Sequence, residues 1–308
     1  MRLWVISSDY QSDISISDNI LKQVAETYRK IRNTSRYILG NISDFDPNKD
    51  MVEYNELPEI DKWAIMKINE LVKTVTEGYD IYQFNKAYYG INSFLVHDMS
   101  TFYLDIIKDR LYVEGKTSKE RRSAQTAMYI ILSKLVRILA PITAFTAEEI
   151  WRYMPKKENE NTFSIMLEDY PKYDEKLYDK ELDDKFKKII EIKELASKKL
   201  EEAREEKLIG QTLEAKVTVS ANKENELYEI IKNNKNLIED VLIVSELELK
   251  EDNSKEKEEF SVNISRAEGE KCERCWKYTK DVGIDKENPT ICKRCSEVLR
   301  KYAKDYEI

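Results

Sequence analysis

A chain of 308 residues that is 41% hydrophobic and 36% charged, with seven glycines and six prolines, has length for about two domains and too few breakers for a low-complexity protein. No run of about 18 apolar residues occurs, so no membrane span is expected; the opening Met1–Asp9 lacks the apolar core of an export signal and, with the cysteines taken as reduced, the cytoplasm is the expected compartment. The net charge of −8 counts against a nucleic-acid partner only on average, because binding needs one local basic face and not a basic whole.

In chain order the first two-thirds reads as helices. Ile20, Val24, Tyr28, Ile31, Ser35 and Ile38 recur at steps of three and four, one face of an amphipathic helix. Ser17 is its expected N-cap and Gly40 its expected stop. A second helix opens near Pro58 and runs through Trp63, Leu71 and Val75 toward Gly78. A third carries Phe84, Tyr88, Ile91 and Leu95, and a separate short one runs from Phe102 to Ile107, ending in Lys108, Asp109 and Arg110. Ser118 can cap a long helix through Ala124, Met128, Ile131, Leu135 and Ile138, stopped by Pro141. Thr146-Ala-Glu-Glu149 matches a capping box and places a helix start just before Ile150 and Trp151. Short polar loops between these segments favour an antiparallel bundle over residues 1–171.

The character changes after Pro171. A charged helix is expected from Leu182 to Leu208, with Phe186, Ile189, Leu195, Leu200 and Ala203 as its apolar stripe and Gly210 as its end. Leu213–Val219 alternates with period two, as a half-buried strand does. A helix near Glu226–Asn233, a strand near Val241–Leu249, a charged turn or loop over Glu251–Glu259 and a strand over Phe260–Ile264 complete a small α+β region, residues 172–265.

Residues 266–308 hold all four cysteines, as Cys272-Glu-Arg-Cys275, sixteen intervening residues, and Cys292-Lys-Arg-Cys295. Each C-x₂-C pair lets a tight knuckle aim two sulfurs at one point. Two knuckles complete a closed S₄ shell that suits one structural Zn²⁺ and leaves no open position for chemistry. Iron–sulfur, a redox dithiol and disulfides are the other readings of such a set. The fold class is therefore mainly α: a helical bundle, a small α+β junction and a Cys₄ ribbon.

Several stretches resemble the C-terminal part of bacterial isoleucyl-tRNA synthetases. They are Arg2–Tyr10, Tyr28-Arg-Lys-Ile-Arg-Asn33, Phe102–Tyr112, Ala140-Pro-Ile142 with Phe145–Trp151, Ile209-Gly210 with Leu213-Glu-Ala215, and Lys271-Cys-Glu-Arg-Cys-Trp-Lys-Tyr-Thr279. The resemblance implies an anticodon-binding bundle followed by a zinc ribbon. Its parent would be a monomeric class I ligase that joins isoleucine to its tRNA with ATP. The HIGH-like and KMSKS motifs and the editing domain of that family are absent here, so the chain alone is expected to be inactive and to bind no ATP. His97, the one histidine, has no catalytic context and is expected at a helix surface or half-buried.

The implied partner is the anticodon stem-loop of isoleucine tRNA. A single-stranded loop offers bases to stack and edges to read, flanked by phosphates that attract Lys and Arg. Arg29, Arg32 and Arg36, with Asn33, form one stripe by helical spacing, opposite the apolar face. The bland alternative is a solvated face with internal ion pairs. Lys108 and Arg110 suit phosphates or base oxygens, and Asp109 can accept from an exocyclic amine. In the ribbon, Arg274, Trp276, Lys277 and Tyr278 lie on one knuckle and Lys293 and Arg294 on the other. Trp276 either stacks on a base or packs on its own knuckle. From Arg266 to Ile308 there are 11 Lys and Arg against 9 Asp and Glu, a local +2 in an acidic chain. The competing readings are a DNA-binding module, because DNA-repair glycosylases carry a similar ribbon, and a protein scaffold acting through the acidic helix Leu182–Leu208. The carboxylates form no recognisable acid/base pair for a hydrolase.

Overall fold

The computed structural model describes residues 1–160, 163–253, 256 and 260–303. Two units divide it, Met1–Leu111 with Thr117–Asp179, and Tyr112–Lys116 with the chain from Lys180 onward.

The first unit is a helical bundle of α1 (Arg2–Ser7), α2 (Asp18–Asn41), α3 (Glu59–Asp80), α4 (Phe84–Ser93), α5 (Leu104–Ile106), the start of α6 (Lys108–Val113), α7 (Lys119–Leu139) and α8 (Ala144–Tyr153). Ser17 caps α2 by accepting from the Ile20 amide at 3.3 Å, and Ser118 caps α7 by accepting from the Arg121 amide at 3.2 Å. Helix α2 buries Val24, Thr27, Ile31, Thr34, Ser35 and Ile38, and packs this face against α1, α7 and α8. Helix α3 lies between α4 and α7, with Trp63, Ile65, Met66 and Ile68 almost wholly buried. Burying side chains of this size stabilises the bundle by about 1.5–3 kcal/mol each.

Three local expectations are corrected. Gly40 does not stop α2, which continues to Asn41 and closes when the Ile42 amide donates to Ile38 O. The glycine sits in the last turn on the exposed side and leaves the hydrogen-bond ladder intact. The capping box does not form, because α8 already starts at Ala144. Thr146 instead pairs with the Tyr28 hydroxyl at 3.1 Å, and Glu148 accepts from the Ser164 hydroxyl at 2.8 Å. The third and fourth helices are also one continuous path, since α4 passes directly into a π-helical run, Phe94–Tyr103, and then α5. Within that run the Thr101 hydroxyl donates to Val96 O and His97 O, both at 3.1 Å, while His97 itself is exposed.

The bundle also buries polar groups that pair with one another. Asn69, fully buried, donates to Asp174 O at 2.8 Å and accepts from the Asp174 amide at 3.1 Å and from Lys134 at 2.9 Å. That clasp holds the extended segment after α8, so the unit runs on to Asp179. Arg137 and Lys156 lie 4.8 and 4.7 Å from the centre of the buried Trp151 ring. Arg137 also donates to Glu160 at 2.9 Å and to Glu168 at 2.6 Å, and Glu160 accepts from the Tyr129 hydroxyl at 2.7 Å.

In the second unit α9 (Lys180–Glu205) packs against α10 (Glu226–Asn233), α11 (Lys235–Leu242) and a three-stranded sheet of order β2-β1-β3. Strand β1 (Ala215–Ala221) runs parallel to β2 (Glu246–Glu251) and antiparallel to β3 (Phe260–Arg266), with Val217 beside Leu247 and Ile264. Alternate β1 residues are buried, as the period-two pattern requires. Two boundaries differ from expectation. Lys207, at φ +59°, makes the left-handed exit from α9 that Gly210 was expected to supply. Val241 and Leu242 belong to α11, which turns off through Ile243 at φ +54° before β2 begins. Of the charged stretch 251–259, Glu251 ends β2 and the Asp252 amide donates to Ala221 O at 3.0 Å; most of the rest lies outside the described residues.

The cysteine-bearing segment adds a two-stranded ribbon, β4 (Glu270–Lys271) with β5 (Tyr278–Thr279), and α12 (Lys293–Lys301). Gly269 has φ +97°, and a Cβ there would lie 2.2 Å from Thr279 O, so this turn requires glycine. Among the described residues no helix is long and apolar enough to cross a membrane.

Burial alone would raise the Glu160 pKa, but the Arg137 guanidinium, the Lys157 amide and the Tyr129 hydroxyl together hold its carboxyl below the ordinary range. The stability this contributes is complete above the unfolded value of about 4.3 and is lost as the pH falls through the lower folded value. Glu160→Gln should therefore cost about 1–3 kcal/mol at pH 7. Urea unfolding should show the gap to wild type closing toward pH 3; a gap that stays constant with pH would contradict this assignment.

Candidate nucleic-acid interface and metal centre

The four cysteines converge. The Cys272 amide donates to Lys277 O and the Trp276 amide to Cys272 O, both at 2.9 Å, which closes the first knuckle. Cys292 stands at the N-cap of α12 and Cys295 in its first turn, where the helix end favours a thiolate. Sγ of Cys272 lies 3.7 Å from that of Cys295, and Sγ of Cys275 lies 3.8 Å from that of Cys292. All four sulfurs fall within 4.8 Å of one another. Disulfide sulfurs sit at about 2.05 Å, so these are not disulfides. Four thiolates each about 2.3 Å from one tetrahedral zinc would be separated by roughly 3.8 Å.

Sulfurs this close cannot ionise together unaided. Donation from Cys292 and Cys295 pulls the Cys275 thiol far down, while the same contact pushes Cys292 up to about 11 and Cys295 higher still. A complete thiolate set therefore needs a cation, and the donor set fits structural zinc. Val113 and Ile291 join the buried cysteines in one apolar cluster. Gly115 lies under Tyr302, where a Cβ would approach the ring to 2.2 Å. The ribbon is tied to the rest of its unit by Lys277, which donates to Glu239 at 3.1 Å and to Asp240 at 3.3 Å. The Tyr278 amide adds a bond to the Ser245 hydroxyl at 2.7 Å. The Lys277 side chain and the Tyr278 backbone thus hold the ribbon to the rest of its unit.

Trp276 does not pack on its knuckle. It is 57% exposed, at φ +64°, with Lys271 Nζ 5.6 Å from its ring centre. The sequence reading missed Lys271, although it directly precedes the first ligand. Arg274, between the first two ligands, is half-buried, and Lys293 is exposed. Arg294 lies 4.0 Å from Glu114.

In the bundle, Arg29, Arg32, Asn33 and Arg36 are all exposed on the face of α2 opposite its buried one. Arg29 pairs with Glu26 one turn back, whereas Arg32 and Arg36 form no ion pair among the described residues. Lys108, Asp109 and Arg110 open α6 and do not close the preceding helix. Lys108 is exposed and pairs with Asp105 at 2.6 Å, and Asp109 is half-buried. Arg110 turns inward, with Nη1 and Nη2 donating to the buried Asp61 at 3.1 and 2.6 Å and Nη2 also to Glu120 O at 2.9 Å. Its guanidinium is committed to the bundle interior, which corrects its place among the RNA contacts. Asp61 was not legible as its partner from a separation of 49 residues.

Comparison with known proteins agrees with this geometry. Residues 61–219 match the anticodon-binding domain of tRNA ligase, and residues 269–298 match the zinc finger found in FPG and IleRS. The isoleucine–tRNA ligase of Kosmotoga olearia is 50% identical, the alignment covering 100% of this chain and 33% of that protein. Those of Caldanaerobacter subterraneus subsp. tengcongensis and Petrotoga mobilis are each 47% identical, over 99% and 98% of this chain and 33% of each relative. The chain spans about a third of the length of these curated relatives. A helical bundle with an exposed basic face, an S₄ ribbon, and a family match across just over half of the 308 residues lead to one conclusion: the chain belongs to the family of tRNA ligase anticodon-binding domains.

Proposed function

We propose that this chain is the tRNA-holding part of an isoleucine–tRNA ligase and that it grips the anticodon stem-loop of isoleucine tRNA. The observation that carries this reading is the exposed basic face of α2 in a chain matched end to end by isoleucine–tRNA ligases. ATP-dependent joining of isoleucine to tRNA is assigned to the two-thirds of those relatives with which this chain does not align, and the chain alone neither binds ATP nor catalyses the reaction. The parent acts as a monomer in the cytoplasm.

The residues divide by the kind of contact they can make. Arg29, Arg32, Arg36, Lys293 and Arg294 suit phosphates, which supply affinity without sequence information. Asn33, Lys108 and Asp109 carry the donors and acceptors needed to read base edges. Trp276 offers a ring face to an unpaired base, with Arg274 beside it. One Zn²⁺ held by Cys272, Cys275, Cys292 and Cys295 keeps the knuckle rigid and takes no part in chemistry.

The decisive test is binding of this chain to two isoleucine tRNA transcripts at one salt concentration, one with the native anticodon and one with a swapped anticodon. The native transcript should bind at least tenfold more tightly, about 1.4 kcal/mol. Equal binding, or equal competition by duplex DNA, would overturn anticodon reading. The Arg32→Ala/Arg36→Ala double variant should weaken both transcripts alike and flatten the salt dependence by about one unit of slope per lost phosphate contact. Trp276→Ala should cost about 1–3 kcal/mol of binding with the fold unchanged; an unaltered affinity would remove the ring from the interface. Metal analysis should find one zinc per chain. Since structural zinc contributes on the order of 10–16 kcal/mol to such modules, chelation should unfold the ribbon and leave most helical circular dichroism intact. Wholesale loss of helicity on chelation would contradict that division.

A further inference from the structure

We propose that Asp61 is a positioning residue for anticodon discrimination, setting the direction of α6 and thereby the placement of Lys108 and Asp109. The inference rests on the reading of those two residues given above. Helix α6 cannot fix its own direction. Ile107, at φ −76° and ψ −2°, is a one-residue irregularity between α5 and α6, spanned by bonds from its amide to Tyr103 O at 3.2 Å and from the Leu111 amide to Ile107 O at 3.0 Å. Six residues are too few for a self-supporting helix.

Side chains supply the direction instead. Arg110 Nη1 and Nη2 donate to the two oxygens of Asp61 at 3.1 and 2.6 Å, and its Nε and Nη2 donate to Glu120 O at 3.2 and 2.9 Å. Asp61 has no exposed surface, stands in the first turn of α3, and accepts a third bond from the buried Tyr103 hydroxyl at 2.8 Å. A second brace comes from Arg121, whose Nε donates to Leu111 O at 3.3 Å while its fork is held by Asp44 at 2.7 and 2.9 Å. The guanidinium of Arg110 thus joins α3, α6 and the start of α7 through one rigid, planar set of donors.

A buried ion pair adds little net stability over well-packed apolar residues, because both charges are desolvated. What it does specify is geometry: two oxygens and a planar fork fit in one orientation. Lys108 and Asp109 lie one and two residues before Arg110 on the same short helix. Any rotation that the pair prevents would swing their side chains away from a base edge, whereas the α2 phosphate contacts lie on another helix and would be spared.

The test uses Asp61→Asn, Arg110→Lys and Lys108→Ala in the whole chain, each bound to the native and swapped transcripts at one salt concentration. Hydrogen exchange of residues 108–113 is read beside that of α2 and α7. Asp61→Asn and Arg110→Lys should each reduce the native-to-swapped preference at least fivefold and speed exchange in α6 only. Asp61→Asn should add nothing further in a Lys108→Ala background, as expected of residues acting through one contact. Retained preference in both, or equal weakening of the two transcripts, overturns the inference. If Asp61→Asn fails to fold, Arg110→Lys decides, since it keeps the charge and loses the fork; unfolding of both makes the pair purely structural and also overturns it. If Lys108→Ala keeps the preference, the reading of Lys108 fails and takes the inference with it. If Lys108→Ala loses the preference while the other two keep it, only the inference falls.

Discussion

A charge taken out of water must meet a partner, and in a chain that is 36% charged this constraint separates scaffold from surface. Three polar or ionised groups in the bundle are answered by particular partners: Asp61 by Arg110 and Tyr103, Asn69 by Asp174 and Lys134, and Glu160 by Arg137 and Tyr129. The ribbon applies the same rule to sulfur, since four buried thiolates need one cation. Among the many charges left in water are Arg29, Arg32 and Arg36 on the outer face of α2 and Lys293 at the start of α12. Net charge is blind to this sorting. An acidic molecule can keep a basic face because net charge is a sum over the whole surface and says nothing of where each sign is placed.

Local chemistry was legible in the sequence wherever a residue acts on its immediate neighbours. Ser17 and Ser118 cap the helices they precede, the alternation in 215–221 forms a strand, and the C-x₂-C pairs meet. Readings failed where a distant partner decided. Arg110 and Arg36 look alike in sequence, but one faces Asp61 and the other faces water. Lys277 follows the knuckle as naturally as Lys271 precedes it, yet only Lys277 has Glu239 and Asp240 within reach. Thr146-Ala-Glu-Glu149 satisfies a capping pattern, but α8 already begins at Ala144 and the Thr146 hydroxyl pairs with Tyr28. Glycine misled for a related reason. Gly40 and Gly210 have no conformational requirement to meet, because α2 runs past one and Lys207 makes the turn before the other.

The continuous path from α4 into the π-helical run and α5 shows the same limit from another side. The periodicity of Phe84, Tyr88, Ile91 and Leu95 fits an α-helix, and that of Phe102–Ile107 fits a second one out of phase with it. A π-helical turn takes up more residues than an α-turn and shifts the phase without breaking the chain direction. Leu95, Met99 and Phe102 remain buried through that shift. Sequence periodicity registers a phase change only as a gap, which is why one helical path reads as two.

Trp276 carries the argument about the ribbon furthest. The knuckle needs a left-handed residue after its second cysteine so that the Trp276 amide can reach Cys272 O and Lys277 O can accept from the Cys272 amide. Glycine would meet that need without strain, whereas a bulky side chain at φ +64° is disfavoured there. The indole recovers little of this by packing, since more than half of it is exposed, with Lys271 Nζ 5.6 Å from its ring centre. Stability of the turn therefore does not account for tryptophan at this position. An aromatic face exposed to solvent beside a cation is what an unpaired base can stack on, and the four cysteines next to it would, with a zinc bound, hold the knuckle that presents it.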